Sequence, residues 1–196
     1  MQGYPFGPAA LLVLIFLLQG CATVDIIDHG SYVRAARLHL YQLSEWRFHG
    51  RLALRSRQDS WSASIDWRHA GDHDRMILSG PLGQGGVSIE LTMQDISIDR
   101  GDGQIMRSVH PDRLIREQLG VFVPVRALRY WVIGLTEPGS DYRDIAGGFE
   151  QSGWQVRYLQ FMRAAGQAMP RKMTVTSNET KLKLIIDQWQ LYDRET

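Results

Sequence analysis

Residues 80–86 read Gly-Pro-Leu-Gly-Gln-Gly-Gly, with four glycines and a proline around one large apolar residue, Leu82. This composition predicts a turn, because glycine and proline supply backbone conformations that strands and helices avoid. Residues 87–93 then alternate apolar and polar side chains with the period of a half-buried strand, and the short apolar segment 76–79 precedes the turn. The sequence therefore predicts a β-hairpin whose tip carries Leu82.

Leu82 itself has two interpretations, because hairpin tips lie in water and are usually polar. The leucine could fold back over the end of the core, as lone apolar residues at the surface commonly do. Alternatively, it could project toward a membrane or an acyl chain. The N-terminal segment of the chain favours the second interpretation.

The N-terminal segment has the pattern of a lipoprotein signal peptide. Residues 11–18 form a continuous apolar run that is too short to span a membrane but long enough for a signal-peptide core. Leu18-Gln19-Gly20-Cys21 follows and resembles the bacterial lipobox, in which the cysteine receives S-diacylglycerol, becomes the first residue after cleavage and is N-acylated. We therefore expect a signal peptide over residues 1–20, and a palmitoylated, diacylglycerol-bearing Cys21.

This N-terminal pattern also predicts the domain organisation and the location. Residues 21–30 would form a short tether, and residues 31–196 a single domain. Two or three acyl chains hold a protein stably on a membrane. Ala22 stands where an aspartate would resemble an inner-membrane retention signal, so the outer membrane is favoured. Cys21 is the only cysteine, which excludes an internal disulfide and a cysteine-based metal site.

Charge and motif content exclude several classes of function. The formal net charge is +1 and no run of like charges occurs, so the chain lacks the electrostatic pattern of a nucleic-acid-binding protein. No Gly-x-Ser-x-Gly or His-Glu-x-x-His motif occurs, so no catalytic residue is predicted. The glycines of residues 80–86 do not indicate a phosphate loop, because a strand follows them and not a helix.

Most of the chain has the two-residue alternation of antiparallel strands. The segments with this pattern or a short apolar core are residues 46–55, 61–68, 76–79, 87–93, 96–98, 105–106, 154–158, 173–176 and 181–186. Gly50 is expected to mark a bend or bulge in the first of these strands. Short strands joined by tight turns are typical of a curved sheet or an open barrel.

Three helices are predicted between these strands, at residues 31–44, 112–119 and 124–134, with Pro124 in the first turn of the last. In the first helix, Arg34 and Arg37 are expected to face solvent. The two later helices interrupt one antiparallel meander and would lie across its concave face as a lid.

Two groups of side chains remain open to more than one interpretation. Trp46, Trp61 and Trp67 share the inner face of two strands and could form plain core or line a ligand cavity. The polar turn at residues 69–74 contains His69, His73, Asp72 and Asp74, which could bind a metal. A solvated loop is the favoured interpretation there, because no third constrained ligand is evident.

Several segments together resemble the LolB family, the outer-membrane receptors of bacterial lipoprotein sorting. They include the lipobox, residues 46–55 (Trp-Arg-Phe-His-Gly-Arg-Leu-Ala-Leu-Arg), 61–67, 80–83 (Gly-Pro-Leu-Gly), 124–135, 168–173 and 182–189. The resemblance covers nearly all of the chain after Cys21, in a consistent order.

The resemblance implies an α+β, mainly β fold: an incomplete antiparallel β-barrel with a helical lid over a hydrophobic cavity. It implies a monomeric receptor that takes acylated lipoproteins from the periplasmic carrier LolA and inserts them into the outer membrane without ATP or a cofactor. Leu82, with Pro81 and Gly83, matches the family's protruding loop. The acyl cavity and lid would involve six residues: Trp46, Trp61, Trp67, Leu128, Trp131 and Trp154.

Two other functions compete with this one. A tethered envelope lipoprotein with a solid core could serve as a scaffold, and a lipid-active hydrolase could act at the same membrane. Displacement of a hydrophobic dye by a lipoprotein would distinguish the receptor from the scaffold.

Overall fold

The structure is a computed structural model that describes residues 26–27, 32–57, 59–80 and 86–192. Its main element is one antiparallel sheet of twelve strands. The strands are β1 (Ile26–Ile27), β2 (Glu45–Arg55), β3 (Ser60–Ala70), β4 (His73–Ser79), β5 (Gly86–Leu91), β6 (Ile96–Asp99), β7 (Ile105–Ser108), β8 (Tyr142–Ile145), β9 (Gly148–Gln151), β10 (Trp154–Ala164), β11 (Gln167–Thr176) and β12 (Lys181–Tyr192).

The strand order is β7-β6-β5-β4-β3-β2-β12-β11-β10-β9-β8, and β1 pairs with the second half of β10. Among the described residues no pairing joins the edge strands β7 and β8, so the sheet is an open half-barrel. β12 lies in the middle, paired with β2 on one side and β11 on the other. The predicted fold class is confirmed, with the helices packed on the inner face of the sheet.

Three helices accompany the sheet: a 3-10 helix (Arg34–Gln42), α1 (Pro111–Leu119) and α2 (Val125–Trp131). The first was predicted as a longer α-helix. α1 begins with a proline, which lacks the N–H that a first turn would leave unpaired, and ends at Gly120, whose φ of 71° is easily reached only by glycine. Pro124 is the N-cap residue of α2, one residue before the first turn in which the sequence placed it, and the helix ends at Trp131, before the predicted end at Gly134.

The C-terminal ends of β2, β4, β6, β9 and β11 lie along one edge of the sheet, because neighbouring strands run in opposite directions. We call this edge the loop rim. The hairpin predicted around Leu82 is confirmed by the pairing of Ser79 with Gly86, which begins the β4–β5 ladder.

The core lies on the concave face, where alternate residues of each long strand are buried. The bulge expected at Gly50 in β2 lies instead in its partner strand β12, where Asp187 is an extra residue between the pairs Ile186–Gly50 and Gln188–His49. A Cβ atom at position 50 would overlap the carbonyl oxygen of Ile185, which explains the absence of a side chain at this buried position.

Candidate functional site

An apolar pocket lies between the concave face of the sheet, the two helices and the segment that joins them. Strands β2, β3, β4, β5 and β12 provide one wall, and α1, α2 and residues 121–123 provide the other. The lining side chains are Leu52, Leu54, Trp61, Ile65, Trp67, Met76, Leu78, Ile89, Ile115, Leu119, Val121, Val123, Val125, Leu128, Leu182 and Leu184. The pocket therefore offers no charged side chain to a ligand.

The pocket is almost closed in this conformation, with a volume of about 50 Å³. A water molecule occupies about 30 Å³ in the liquid, and pockets for small ligands are roughly 300–1,000 Å³. The interior is thus nearly filled by its own side chains. A fatty acyl chain can enter only if one wall moves away from the other.

A buried polar cluster lies beyond the pocket, away from the loop rim. The Asp74 carboxylate, on β4, is fully buried. Its Oδ1 atom accepts a hydrogen bond from the indole N–H of Trp67 at 2.9 Å and lies 2.9 Å from Nδ1 of His69, both on β3. Its Oδ2 atom forms an ion pair with the buried guanidinium of Arg129 on α2. The cluster therefore ties α2 directly to β4 and, through Asp74, to β3.

This cluster corrects the prediction of a solvated loop at residues 69–74. Only Gly71 and Asp72 form the turn, and the β3–β4 ladder continues up to it, with Ala70 paired to His73. His69 and Asp74 point inward because they continue the alternation of β3 and β4. Their positions follow the inward alternation of both strands in the sequence, but polar side chains at inward positions are not recognised as core.

Gln151 on β9 forms a second polar anchor for α2. Its Oε1 atom accepts the indole N–H of Trp131 at 2.9 Å and the backbone N–H of Glu137 at 2.8 Å. The buried Tyr158 hydroxyl donates to the carbonyl oxygen of Trp131 at 2.7 Å. Burial raises the pKa of Tyr158 well above its usual value, so this hydroxyl keeps its proton and remains a donor.

Arg37 forms a third anchor, and the prediction that it faces solvent is wrong. Its guanidinium is buried and donates to the carbonyl oxygens of Ile133 at 2.7 Å and Ala168 at 2.6 Å. Burial lowers the pKa of Arg37 from its usual value. Gly134, with a φ of 88°, leaves room for this guanidinium, because a Cβ atom there would overlap it. One carbonyl group just after α2 and one on β11 thus hold this cation without a carboxylate.

α1 differs from α2 in how it is attached. Leu114 and Ile115 are buried, yet no side chain of α1 forms a hydrogen bond or ion pair with a strand in the part of the chain that the structure describes. Its polar link runs to α2, where Asp112 accepts the backbone N–H of Val125. Burial raises the pKa of the Asp112 carboxyl, and this hydrogen bond opposes the shift. α1 is therefore held against the sheet by apolar contacts.

A protein-family model described as outer membrane lipoprotein LolB matches residues 44–189. The chain belongs to the LolB family. The matched residues run from the start of β2 into β12 and include both walls of the pocket.

Curated LolB relatives match over most of the chain. The outer-membrane lipoprotein LolB of Chromohalobacter salexigens is 34% identical over 191 residues, which covers 92% of this chain and 88% of the relative. The protein of the same name from Ectopseudomonas mendocina is 31% identical over 189 residues, covering 90% and 93%. A crystal structure of a LolA superfamily protein from Nitrosomonas europaea matches with a TM-score of 0.48 and 9% identity, covering 85% and 94%.

The residues predicted from the LolB resemblance to surround an acyl chain fall into two groups. Trp61, Trp67 and Leu128 line the pocket. Trp46, Trp131 and Trp154 are buried outside its lining. The structure thus brings the first three together around the site and places the other three in the packed core.

The second group belongs to aromatic clusters. Trp46 packs against Phe48, Trp67 and Trp189, with ring centroids 5.9, 5.4 and 5.7 Å away. Trp131 and Trp154 pack together at 6.3 Å. The pocket residues that sequence reasoning missed are aliphatic, and their signal was the inward alternation that they share with ordinary core residues.

The other predicted LolB features lie outside the described residues. These are the acylated Cys21 and the loop residues Pro81, Leu82 and Gly83. The signal peptide over residues 1–20 and most of the tether also lie outside them. Gly80 and Gly86, which flank the loop, are described.

Two structural features are absent from the part of the chain that the structure describes. No helix there is both long enough and apolar enough to cross a membrane. No cluster of three or more His, Cys, Asp or Glu side chains there could hold a metal ion. His69, considered as a ligand from the sequence, instead contacts the Asp74 carboxylate.

Proposed function

We propose that this LolB-family chain is a lipid-anchored receptor at the periplasmic face of the outer membrane. It accepts acylated lipoproteins from the carrier LolA, holds their acyl chains in the apolar pocket and inserts them into the outer membrane. The observation that carries the proposal is the lining of the pocket, which contains only apolar residues. Acyl chains have no polar group along their length and need no polar partner.

The chemistry of the cargo explains why such a pocket is needed. Each methylene group gains about 0.8 kcal/mol when it leaves water, so acylated cargo does not cross an aqueous compartment unprotected. Handover without ATP requires only that each acceptor binds more tightly than the donor. A tenfold preference corresponds to about 1.4 kcal/mol, which a small difference in pocket lining can supply.

The closed pocket must open for cargo, and the attachments of the helices indicate how. α2 is held by Asp74, Gln151 and the contacts of Arg37, all of which are directional and buried. α1 packs on the sheet through side chains such as Ile115, and an acyl chain can replace those contacts with similar ones. α1 and residues 121–123 therefore move outward while α2 stays in place.

Release into the membrane is assigned to the loop at residues 81–85. Leu82 would enter the boundary of the bilayer, and acylated Cys21 would keep the receptor on the same surface. The receptor acts as a monomer, uses no cofactor and catalyses no reaction. Its work is the transfer of bound acyl chains from one apolar environment to another.

The receptor function is tested by dye displacement. The acylated protein in detergent-free vesicles is loaded with a hydrophobic fluorescent dye, and a triacylated lipopeptide is added as cargo. We expect the lipopeptide to displace the dye, whereas the same peptide without acyl chains does not. Absence of displacement would refute the receptor proposal and favour a structural lipoprotein with a solid core.

The role of Leu82 is tested in the same preparation. Leu82→Asp should leave dye displacement unchanged and stop delivery of the lipopeptide to the vesicle bilayer. Gln84→Asp is the matched control, because it places the same charge in the same loop and keeps the leucine. Equal delivery by wild type and Leu82→Asp would show that the loop does not perform the release.

A further inference from the structure

Within the described ranges, the outer face of the sheet carries paired cations far from the loop rim and unpaired cations close to it. Away from the loop rim, outward-facing arginines of β2 and β3 have carboxylate partners on neighbouring strands. Arg47 forms a salt bridge with Asp66, Arg51 with Asp187 and Arg68 with Glu45, at N–O distances of 2.8, 2.9 and 2.7 Å. These cross-strand pairs neutralise the cations of that part of the face.

Three cations of β2 and β12 near the loop rim have no such partner among the described residues. Arg55, Lys181 and Lys183 are exposed, and no salt bridge among the described residues includes any of them. Lys181 lies directly opposite Arg55 in the β2–β12 ladder. Like charges in that position repel each other and destabilise the sheet slightly. An anion bound at this place would remove the repulsion.

A shallow basin lies beside these cations, with a volume of about 580 Å³. Its lining contains two cations, Arg51 and Lys183, and otherwise uncharged residues, most of them small: Leu52, Ala53, Ser62, Ala63, Ser64, Ser79, Gly80 and Ile185. No carboxylate lines it. Serine hydroxyls and cations are the donors that phosphate oxygens accept, and small side chains leave space for a bulky headgroup.

The basin has a defined position relative to the loop that contains Leu82. Gly80 is part of its lining and immediately precedes residues 81–85. A loop that enters a bilayer brings the adjoining residues to the depth of the lipid headgroups. Each cation near an anionic membrane surface strengthens binding to that surface about fivefold. Several such cations on one side of the protein therefore favour one orientation.

We infer that this basin and the cations Arg55, Lys181 and Lys183 form a contact surface for the phosphate groups of anionic membrane lipids. We call it the headgroup surface. This inference rests on the proposed function, which places the loop at the membrane. The headgroup surface orients the anchored receptor, so that the end of the pocket near the loop rim faces the bilayer during release.

The chain contains only three lysines, Lys172, Lys181 and Lys183, so amine labelling reports directly on this surface. The acylated full chain is placed in vesicles of phosphatidylcholine alone or of phosphatidylcholine with one third phosphatidylglycerol. A membrane-impermeant amine reagent is added, and the labelling rate of each lysine is read by mass spectrometry. The acyl anchor holds the protein on both vesicles, so differences report contact and not attachment.

We expect Lys181 and Lys183 to label about fivefold more slowly on the anionic vesicles, and high salt to remove the difference. Lys172, which pairs with Ile185 further from the loop rim, should change less. Equal labelling on both vesicles would overturn the inference. Protection that appears only when the carrier is added would also overturn it, in favour of a protein-docking surface.

Two further measurements test whether the phosphate comes from lipid or from solution, and whether the protection depends on positive charge. Inorganic phosphate with phosphatidylcholine vesicles should give little protection, and protection equal to that of phosphatidylglycerol would indicate a site for free anions. Arg55→Gln should lower the lipid-dependent protection of Lys181 and Lys183 from about fivefold to about twofold. Arg163→Gln, an exposed cation on β10, is the matched control and should leave it unchanged; equal loss in both variants would count against the headgroup surface.

Failure of this inference and failure of the receptor function give different results. If the lipopeptide displaces the dye but the lysines label equally on both vesicles, the receptor function stands and the headgroup surface is wrong. If the lysines are protected but no dye is displaced, the surface exists on a protein that does not bind acyl chains.

Discussion

The two halves of the concave interior are built from different residue types. The half away from the loop rim contains Trp46, Phe48 and Trp189, together with the buried ion pair of Asp74 and Arg129. The half toward the loop rim is mainly aliphatic and contains the small pocket. Trp67 lies at the boundary, with its ring in the pocket wall and its N–H on Asp74.

This difference follows from what an indole group requires. A buried indole N–H needs an acceptor, and in the half away from the loop rim Trp67 and Trp189 find theirs on Asp74 and the Pro170 carbonyl. Such bonds are directional and fix the elements that share them. Aliphatic contacts have no preferred direction, so a fatty chain can take their place. The half away from the loop rim, which we call the fixed half, therefore stays in place while the half that contains the pocket opens.

The largest effect is expected from removing the cation of the fixed half. Arg129→Met leaves the Asp74 carboxylate buried without its ion-pair partner, and we expect the free energy of unfolding to fall by about 3–5 kcal/mol. Urea denaturation measures the change. Arg126→Gln, on the same helix, removes a hydrogen bond to the Met93 carbonyl and should cost about 1 kcal/mol. Similar losses in the two variants would show that the buried pair does not fix α2.

The next effect compares cavity-forming substitutions in the two halves. Ile115→Ala in the pocket wall should lower the free energy of unfolding by about 2–3 kcal/mol, and Phe48→Ala in the aromatic half by about 3 kcal/mol. The triacylated lipopeptide should recover more stability in Ile115→Ala than in Phe48→Ala, because acyl chains fill only the pocket. Equal recovery would mean that the two halves bind cargo alike.

Hydrogen exchange measures the mobility of the two helices without substitution. Backbone amides of α1 should exchange through a local opening, with protection at least about tenfold lower than that of α2, or about 1.4 kcal/mol. The measurement is native-state exchange followed by mass spectrometry. If α2 were less protected than α1, the assignment of the moving helix would be reversed.

The smallest effect concerns the junction between the helices. Burial raises the pKa of Asp112 above its ordinary value of 3.8, so the fold disfavours the charged form. The stability that the protonated form provides is fully present below about pH 4 and is lost as the pH rises through the raised pKa. Asp112→Asn should remove this part of the pH dependence of unfolding, as measured by denaturation across that range. An unchanged pH profile would show that Asp112 does not contribute.

Local patterns predicted the elements that depend on neighbouring residues. The alternation from Trp46 onward predicted β2, the glycine at position 120 predicted the end of α1, and the Gly-rich turn predicted the β4–β5 hairpin. Each of these depends on a few consecutive side chains or on one backbone conformation.

Features that depend on distant parts of the chain were not predictable in this way. β8 has no inward alternation, because three of its residues are exposed, and its pairing with β9 holds it. Arg37 is buried by carbonyls 96 and 131 residues away in sequence. The positions of α1 and α2 likewise decide which inward side chains enclose the pocket and which fill the core.

The central position of β12 also affects how the chain folds. β12 follows the other described strands in the chain, yet it lies between β2 and β11, and its ladder with β2 runs from Lys181 to Tyr192. Such distant pairing makes folding slow, because a long loop must close before the contacts form. Closure of the sheet therefore waits for β12, because among the described strands β2 and β11 are joined only through this one.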